Sequence, residues 1–176
     1  MEYKIIFGGQ VGSGKTTAIS QLSDIPVAST EARASDNVAL RKVHTTVAMD
    51  YGLINLPSGE KVHLFGTPGQ ERFRFMWDVL TMGGLGLVLL VDNASEKPLD
   101  DMMLYIDAFR EFIDKNALVI GITRTDLSPS PQLGAYRDKL SAIGICVPVY
   151  EVDARNAGDV ESLLMTLLSI LEVKGQ

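Results

Sequence analysis

The run Gly-Gln-Val-Gly-Ser-Gly-Lys-Thr-Thr at positions 9–17 constrains this chain more than any other stretch. It satisfies G-x-x-x-x-G-K-[ST] through Gly9, Gly14, Lys15 and Thr16. A short apolar run, Ile5-Ile6-Phe7, precedes it and reads as a strand. Thr17-Ala18-Ile19-Ser20-Gln21-Leu22 follows and reads as the first turns of a helix. Strand, glycine-rich loop and helix in that order make a phosphate-binding loop, or P-loop. Glycine lets the backbone curl until several N–H groups point at one anion. The helix N-terminus adds its partial positive charge. Gln10, Val11, Gly12, Ser13 and Thr17 complete the expected cradle around the phosphates. Lys15 is expected to reach the β- and γ-phosphates, and the Thr16 hydroxyl to ligate Mg²⁺.

The rest of the chain reads as alternating strands and helices. Residues 3–8 form the first strand and 15–22 begin the first helix. Residues 23–44 are polar and weakly periodic; a connection that long in a compact domain is usually functional or mobile. Arg33, Arg41 and Lys42 lie in it. Residues 46–56 and 60–65 read as two strands joined by the turn Pro57-Ser58-Gly59, an antiparallel hairpin. Residues 71–81 read as a helix. Residues 85–91 and 117–122 are continuous apolar runs, the mark of parallel strands buried on both faces. A long helix is expected over 99–114, with Met103, Ile106, Phe109, Arg110 and Ile113 on or beside one face. Residues 131–142 form a helix with Leu133, Tyr136 and Leu140 inward, and 147–152 the last strand. The last helix, 159–173, has Val160, Leu163, Leu164, Leu167, Leu168 and Leu171 as its apolar stripe. The expected fold is α/β and doubly wound: a mostly parallel six-stranded sheet, one antiparallel edge strand, helices on both faces. No linker or internal repeat divides 1–176, so a single domain is expected.

Composition narrows the function classes. The chain has 176 residues, 46% of them apolar, which is enough for one core. Its net charge of −6 gives no basic footprint for nucleic acid. Cys146 is the single cysteine, so no internal disulfide forms and a reducing, cytoplasmic setting is expected. Met1-Glu2-Tyr3-Lys4 enters a strand at once, which leads us to expect no signal peptide. No apolar run approaches ~18 residues, and neither end carries a lipidation signal, so no intrinsic membrane anchor is expected.

Gly66-Thr67-Pro68-Gly69-Gln70-Glu71 follows the third strand directly. In place and order this loop resembles the second switch of the Ras-type small GTPases, Asp-x-x-Gly-Gln-Glu. The resemblance implies that Gly69 donates its N–H to a γ-phosphate and that Gln70 orients the attacking water. Thr123-Arg124-Thr125-Asp126 resembles the guanine motif Asn-Lys-x-Asp with only Asp126 retained. Asp126 can accept from guanine N1–H and the 2-amino group, a donor pair that adenine lacks. Arg124 can lie along base and ribose, whereas Thr123 is expected to lose an amide that braces the loop. Asp153-Ala154-Arg155 resembles the next motif, Ser-Ala-Lys, whose alanine N–H meets guanine O6. Across nearly the whole chain the resemblance is to MglA-like prokaryotic small GTPases of the Ras superfamily. It rests on Thr67-Pro68-Gly69-Gln70, on Thr45-Thr46 before an aspartate-bearing strand, and on the loosened guanine motif. It implies a G domain that binds GTP with Mg²⁺ and hydrolyses it slowly to GDP. It also implies a bacterial switch in polarity or motility, read by an effector and served by a roadblock-type regulatory partner.

Three departures stand out. Gly66 occupies the place of the Mg²⁺-linked aspartate. Thr46 is the natural switch-one ligand for Mg²⁺ and γ-phosphate, and Asp50 lies four residues on along the same strand face. Asp50 either supplies the missing carboxylate through a metal-bound water or is a solvent-facing strand aspartate. Val11 stands where glycine is common and crowds an arginine finger arriving from a partner. Thr123 loosens nucleotide selectivity. Arg72 and Arg74, beside the second switch, are candidates for an internal finger or a solvated helix face. Two other function classes stay open: a nucleotide-binding scaffold with negligible hydrolysis, and a P-loop kinase acting on a small molecule.

Overall fold

The computed structural model describes residues 2–29 and 49–174. β1 (Glu2–Gly8), α1 (Lys15–Leu22), β2 (Ala28–Ser29), β3 (Asp50–Asn55) and β4 (Lys61–Gly66) come first in the chain. A 3-10 turn at Glu71–Phe73 leads into α2 (Arg74–Thr81), then β5 (Gly86–Asp92), α3 (Pro98–Ala108) and α4 (Arg110–Ile113). β6 (Ala117–Thr123), α5 (Leu133–Ser141), β7 (Val149–Glu151) and α6 (Ala157–Lys174) complete it.

The described strands form one seven-stranded sheet in the order β2-β3-β4-β1-β5-β6-β7. β3 runs antiparallel to both β2 and β4, and all other pairings are parallel. The doubly wound α/β fold is therefore the expected one, with a correction to the strand count. The seventh strand, β2, is two exposed residues with no apolar pattern; only pairing with Tyr51 and Asp50 makes it a strand.

Alternation along the strands builds two cores. Ile6, Leu87, Leu89, Leu118 and Ile120 face α2, α3, α4 and α5, where Trp77, Met102, Tyr105, Ile106 and Tyr136 meet them. Ile5, Phe7, Leu64, Val88 and Val119 face α1 and α6, where Ile19, Val160, Leu163 and Leu167 meet them. β5 and β6 are buried along their whole length. Each fully buried aliphatic or aromatic side chain contributes about 1.5–3 kcal/mol. This double burial explains why those two strands read as unbroken apolar runs.

The single helix expected over 99–114 is two helices. The break falls at Phe109, with φ −98° and ψ 13°, where its ring stacks on Trp77 at a centroid distance of 5.2 Å. Met102 rather than Met103 leads the buried face of α3.

The loops at the carboxyl ends of β1, β4, β5, β6 and β7 gather at one edge of the sheet, where open α/β sheets bind ligands.

Candidate functional site

Between β1 and α1 the backbone turns through Gly9, Gly12 and Gly14, at φ 140°, 81° and 98°. These are left-handed values that side chains resist, so the loop needs its glycines. Gly14 caps α1 without a side-chain hydrogen bond, and the first turn holds no acidic residue. The first N–H groups of α1 therefore face the loop without a competing carboxylate. Lys15 is buried, and its Nζ donates to the carbonyls of Gly9 and Gln10, both at 2.7 Å. Those bonds fold the ammonium back over the loop that it would share with a phosphate. Val11 stands 62% exposed at the rim.

Thr16 and Asp50 meet directly. The Thr16 hydroxyl donates to Asp50 Oδ2 at 2.6 Å, and Asp50 is 7% exposed. Asp50 is paired across the β3–β4 ladder with Gly66. A Cβ on Gly66 would lie 3.0 Å from both Asp50 Cβ and Oδ2. The carboxylate thus occupies the room that a side chain at position 66 would need, and Asp50 is not a solvent-facing aspartate. Thr46, Arg33, Arg41 and Lys42 lie outside the described residues.

The other end of the site gathers the loosened base motif. Gly12, Ser13, Gly14 and Thr17 share a cleft of about 270 Å³ with Thr123, Arg124, Asp126, Leu127, Asp153, Ala154 and Arg155. The Thr123 hydroxyl lies 3.0 Å from the Ser13 carbonyl and 3.2 Å from that of Val91, both acceptors. The expected loss of a brace is therefore corrected: the shorter side chain reaches the P-loop with its hydroxyl. Arg124 sits at φ 58°, and its Nη1 donates to Asp92 Oδ2 at 2.8 Å.

Arg155 binds Asp153 through Nε and Nη2, at 2.8 and 2.7 Å. Hydrogen bonds from the Arg155 side chain, then from its backbone N–H, hold the Asp153 carboxyl down at about 2. The contact from Arg155 Nη2 to Asp126 is 3.5 Å, too long to hold that carboxylate away from a ligand.

Sequence reasoning missed the support beneath this loop. Asp92 accepts from the Ala94 N–H and from Arg124. Asn93 is 1% exposed; its Nδ2 donates to the Ser128 carbonyl, and its Oδ1 accepts from the Tyr136 hydroxyl. The available signal was a polar Asp-Asn pair at the carboxyl end of a wholly buried parallel strand.

The 66–70 loop closes the remaining side. A Cβ on Gly69 would fall 2.4 Å from Val11 N, so only glycine lets this loop rest on the P-loop backbone. Gln70 follows, exposed, at the start of the 3-10 turn. Arg74 is exposed. Among the described residues no group of three His, Cys, Asp or Glu could hold a metal by itself.

A family model described as "Conserved hypothetical ATP binding protein" matches residues 7–128. The chain belongs to that family. The matched span runs from the end of β1 past Asp126, and so takes in the P-loop and the 66–70 loop but not Asp153–Arg155. The chain is also similar to Ras-related protein Rab-8B of Homo sapiens, 25% identical over 170 residues, covering 94% of this chain and 76% of that protein. Ras-related protein Rab-8A of Rattus norvegicus is 24% identical over 177 residues, covering 98% and 79%. The uncharacterized protein MJ1339 of Methanocaldococcus jannaschii is 35% identical over 95 residues, covering 54% and 53%. The family member is thus a distant homologue of these Ras-related Rab proteins. No described helix is long and apolar enough to cross a membrane.

Proposed function

We propose that this chain is a molecular switch that binds GTP and hydrolyses it slowly to GDP and phosphate. The observation that carries this reading is the cleft joining Gly12–Gly14 to Asp126 and Ala154. A phosphate cradle and a weakly held carboxylate for the base line one continuous space.

Water attacks the γ-phosphorus, the bond to the β–γ bridging oxygen breaks, and GDP leaves with that electron pair. Lys15 would leave or share its carbonyl partners to neutralise charge on the transferring group. Gln70 would orient the water, and the Gly69 N–H would meet a γ-oxygen. Arg124, Asp153 and Arg155 would shape the base pocket, with Asp126 reading guanine.

The donor set fits Mg²⁺. Hard oxygen ligands stand together in the Thr16 hydroxyl and the buried Asp50 carboxylate, and phosphates supply the rest for an ion seldom caged by protein alone. Thr16 would ligate, with Thr46 from the first switch, and Asp50 would act through a bound water. An ion held there would supply positive charge against the phosphate oxygens.

The same reading takes the chain to be MglA-like, bacterial and cytoplasmic, with a roadblock-type regulator and an effector. Val11 favours a partner that works by placing Gln70 rather than by inserting an arginine. Arg72 and Arg74 are the internal alternatives.

A second reading, ATP in place of GTP, is favoured by the family description and by the departures at Thr123 and Arg124. Release and identification of the nucleotide that purifies with the protein decides between them, with a hydrolysis time course. GTP or GDP displaced by guanine nucleotides alone supports the first reading. ATP displacing labelled GTP equally well overturns guanine selectivity, and bound nucleotide that never turns over leaves a scaffold.

A further inference from the structure

Two consecutive peptide units of the 66–70 loop are held by ring donors from the helical layer behind it. The Trp77 Nε1–H donates to the Pro68 carbonyl at 2.9 Å. The Tyr105 hydroxyl donates to the Gly69 carbonyl at 3.0 Å. Trp77 is 1% and Tyr105 4% exposed. The two rings stack at 4.8 Å, and Phe109 lies on the Trp77 ring. Neither donor can drift without opening the core beneath α3.

Peptide planarity gives those bonds a directional effect. A trans peptide places its N–H opposite its carbonyl. The Pro68 carbonyl shares its peptide with the Gly69 N–H, and the Gly69 carbonyl shares its peptide with the N–H of Gln70. Fixing the two carbonyls therefore fixes the amide offered to a γ-phosphate and the backbone from which Gln70 grows. On its other side Gly69 rests on the P-loop at Val11. The loop is held between the P-loop and the stacked rings.

We propose that Trp77 and Tyr105 are positioning residues: together they latch the Gly69 and Gln70 peptides in register with the P-loop and tie that register to α3. This role rests on the GTPase reading above and adds two residues to it that touch neither nucleotide nor water. Burial, then the nearby charges of Asp101 and Glu71, push the Tyr105 phenol above its ordinary value. It stays a donor throughout the neutral range.

Rings that served only as core filling would affect stability, and not the rate of one step, when a donor atom is removed. Tyr105→Phe keeps the stack and removes the O–H alone. The measurements are single-turnover GTP hydrolysis, GDP affinity, and emission from Trp77, the chain's single tryptophan.

Hydrolysis is expected to slow about five- to tenfold, the scale of one lost buried hydrogen bond. GDP affinity should stay within about twofold of wild type. The change in Trp77 emission when a non-hydrolysable GTP analogue replaces GDP should fall by half or more. Equal hydrolysis rates in variant and wild type would overturn the latch and leave the GTPase reading standing. So would a variant that loses GDP affinity in step with its rate, because the hydroxyl would then serve the fold alone. A wild type that never hydrolyses GTP removes both the GTPase reading and this role, and its own rate distinguishes that outcome from the others.

Discussion

Asp50 and Gly66 face each other across the antiparallel pair β3–β4, and the Asp50 carboxylate fills the space that a side chain on Gly66 would take. The same carboxylate accepts the Thr16 hydroxyl. The acidic group expected at the end of β4 is thus delivered from the neighbouring strand, to a position beside the P-loop threonine.

Exchange of the two residues tests this. Asp50→Ala should weaken the Mg²⁺ dependence of GTP binding by about tenfold and leave GDP binding less affected. Gly66→Asp alone should lower stability by about 2 kcal/mol or more, because it puts a second carboxylate in the space of the first. The double variant Asp50→Gly, Gly66→Asp should recover Mg²⁺ dependence. Mg²⁺ titrations of fluorescent-nucleotide binding and thermal melts check all three. A single variant Asp50→Ala with an unchanged Mg²⁺ titration would remove Asp50 from the metal's surroundings.

Asp126→Asn should weaken guanine binding by about 10²-fold and shift preference to xanthine, whose 2-oxo group accepts where guanine donates. Competition against labelled GTP is the assay. The Thr123 brace to Ser13 is untouched by the change, so xanthosine triphosphate should bind with the P-loop in its wild-type shape. If GTP and xanthosine triphosphate compete equally in both proteins, the carboxylate does not read the base.

Asp153 provides a pH prediction. Its folded value, held at about 2 by Arg155, lies below the ordinary 3.8. A depressed carboxylate stabilises the fold above the unfolded value and loses that contribution as pH falls through the folded one. The stability difference between wild type and Asp153→Asn should therefore be constant above about pH 5 and shrink between pH 4 and 2. The pair is exposed, so the difference should be small. Melting curves across that range check it, and a difference that grew on acidification would contradict the sign.

Gln70→Leu keeps roughly the volume and removes the amide proposed to orient water. GTP should still bind, and hydrolysis should fall. Unassisted small GTPases turn over at about 10⁻⁴ to 10⁻² per second, and Val11 points to the slow end, so the loss shows best with a stimulating partner. Single-turnover rates with and without that partner decide. Undiminished stimulation would transfer the role to Arg72 or Arg74.

Much of the fold was legible because it is written in local pattern. β5 and β6 are buried on both faces and so carry unbroken apolar runs, while Gly9, Gly14 and Lys15 follow a spacing set by backbone geometry. The extent of α3 was not legible. Helical periodicity continues through Phe109, and only the seating of that ring on Trp77 coincides with the break. β2 was equally hidden, since two exposed residues become a strand by pairing alone.

The sequence by itself determined the glycine-rich loop, the doubly wound order and the short motifs proposed to carry the base site, because each is written in local pattern. Tertiary structure alone decided that Asp50 sits in the space left by Gly66, that Thr123 braces Ser13, and that Trp77 and Tyr105 hold Pro68 and Gly69. Those partners are separated along the chain by 16, 110, 9 and 36 positions. No periodicity in the sequence encodes such contacts; they arise when strand register and ring packing bring distant polar groups to one buried edge, where each must find a partner.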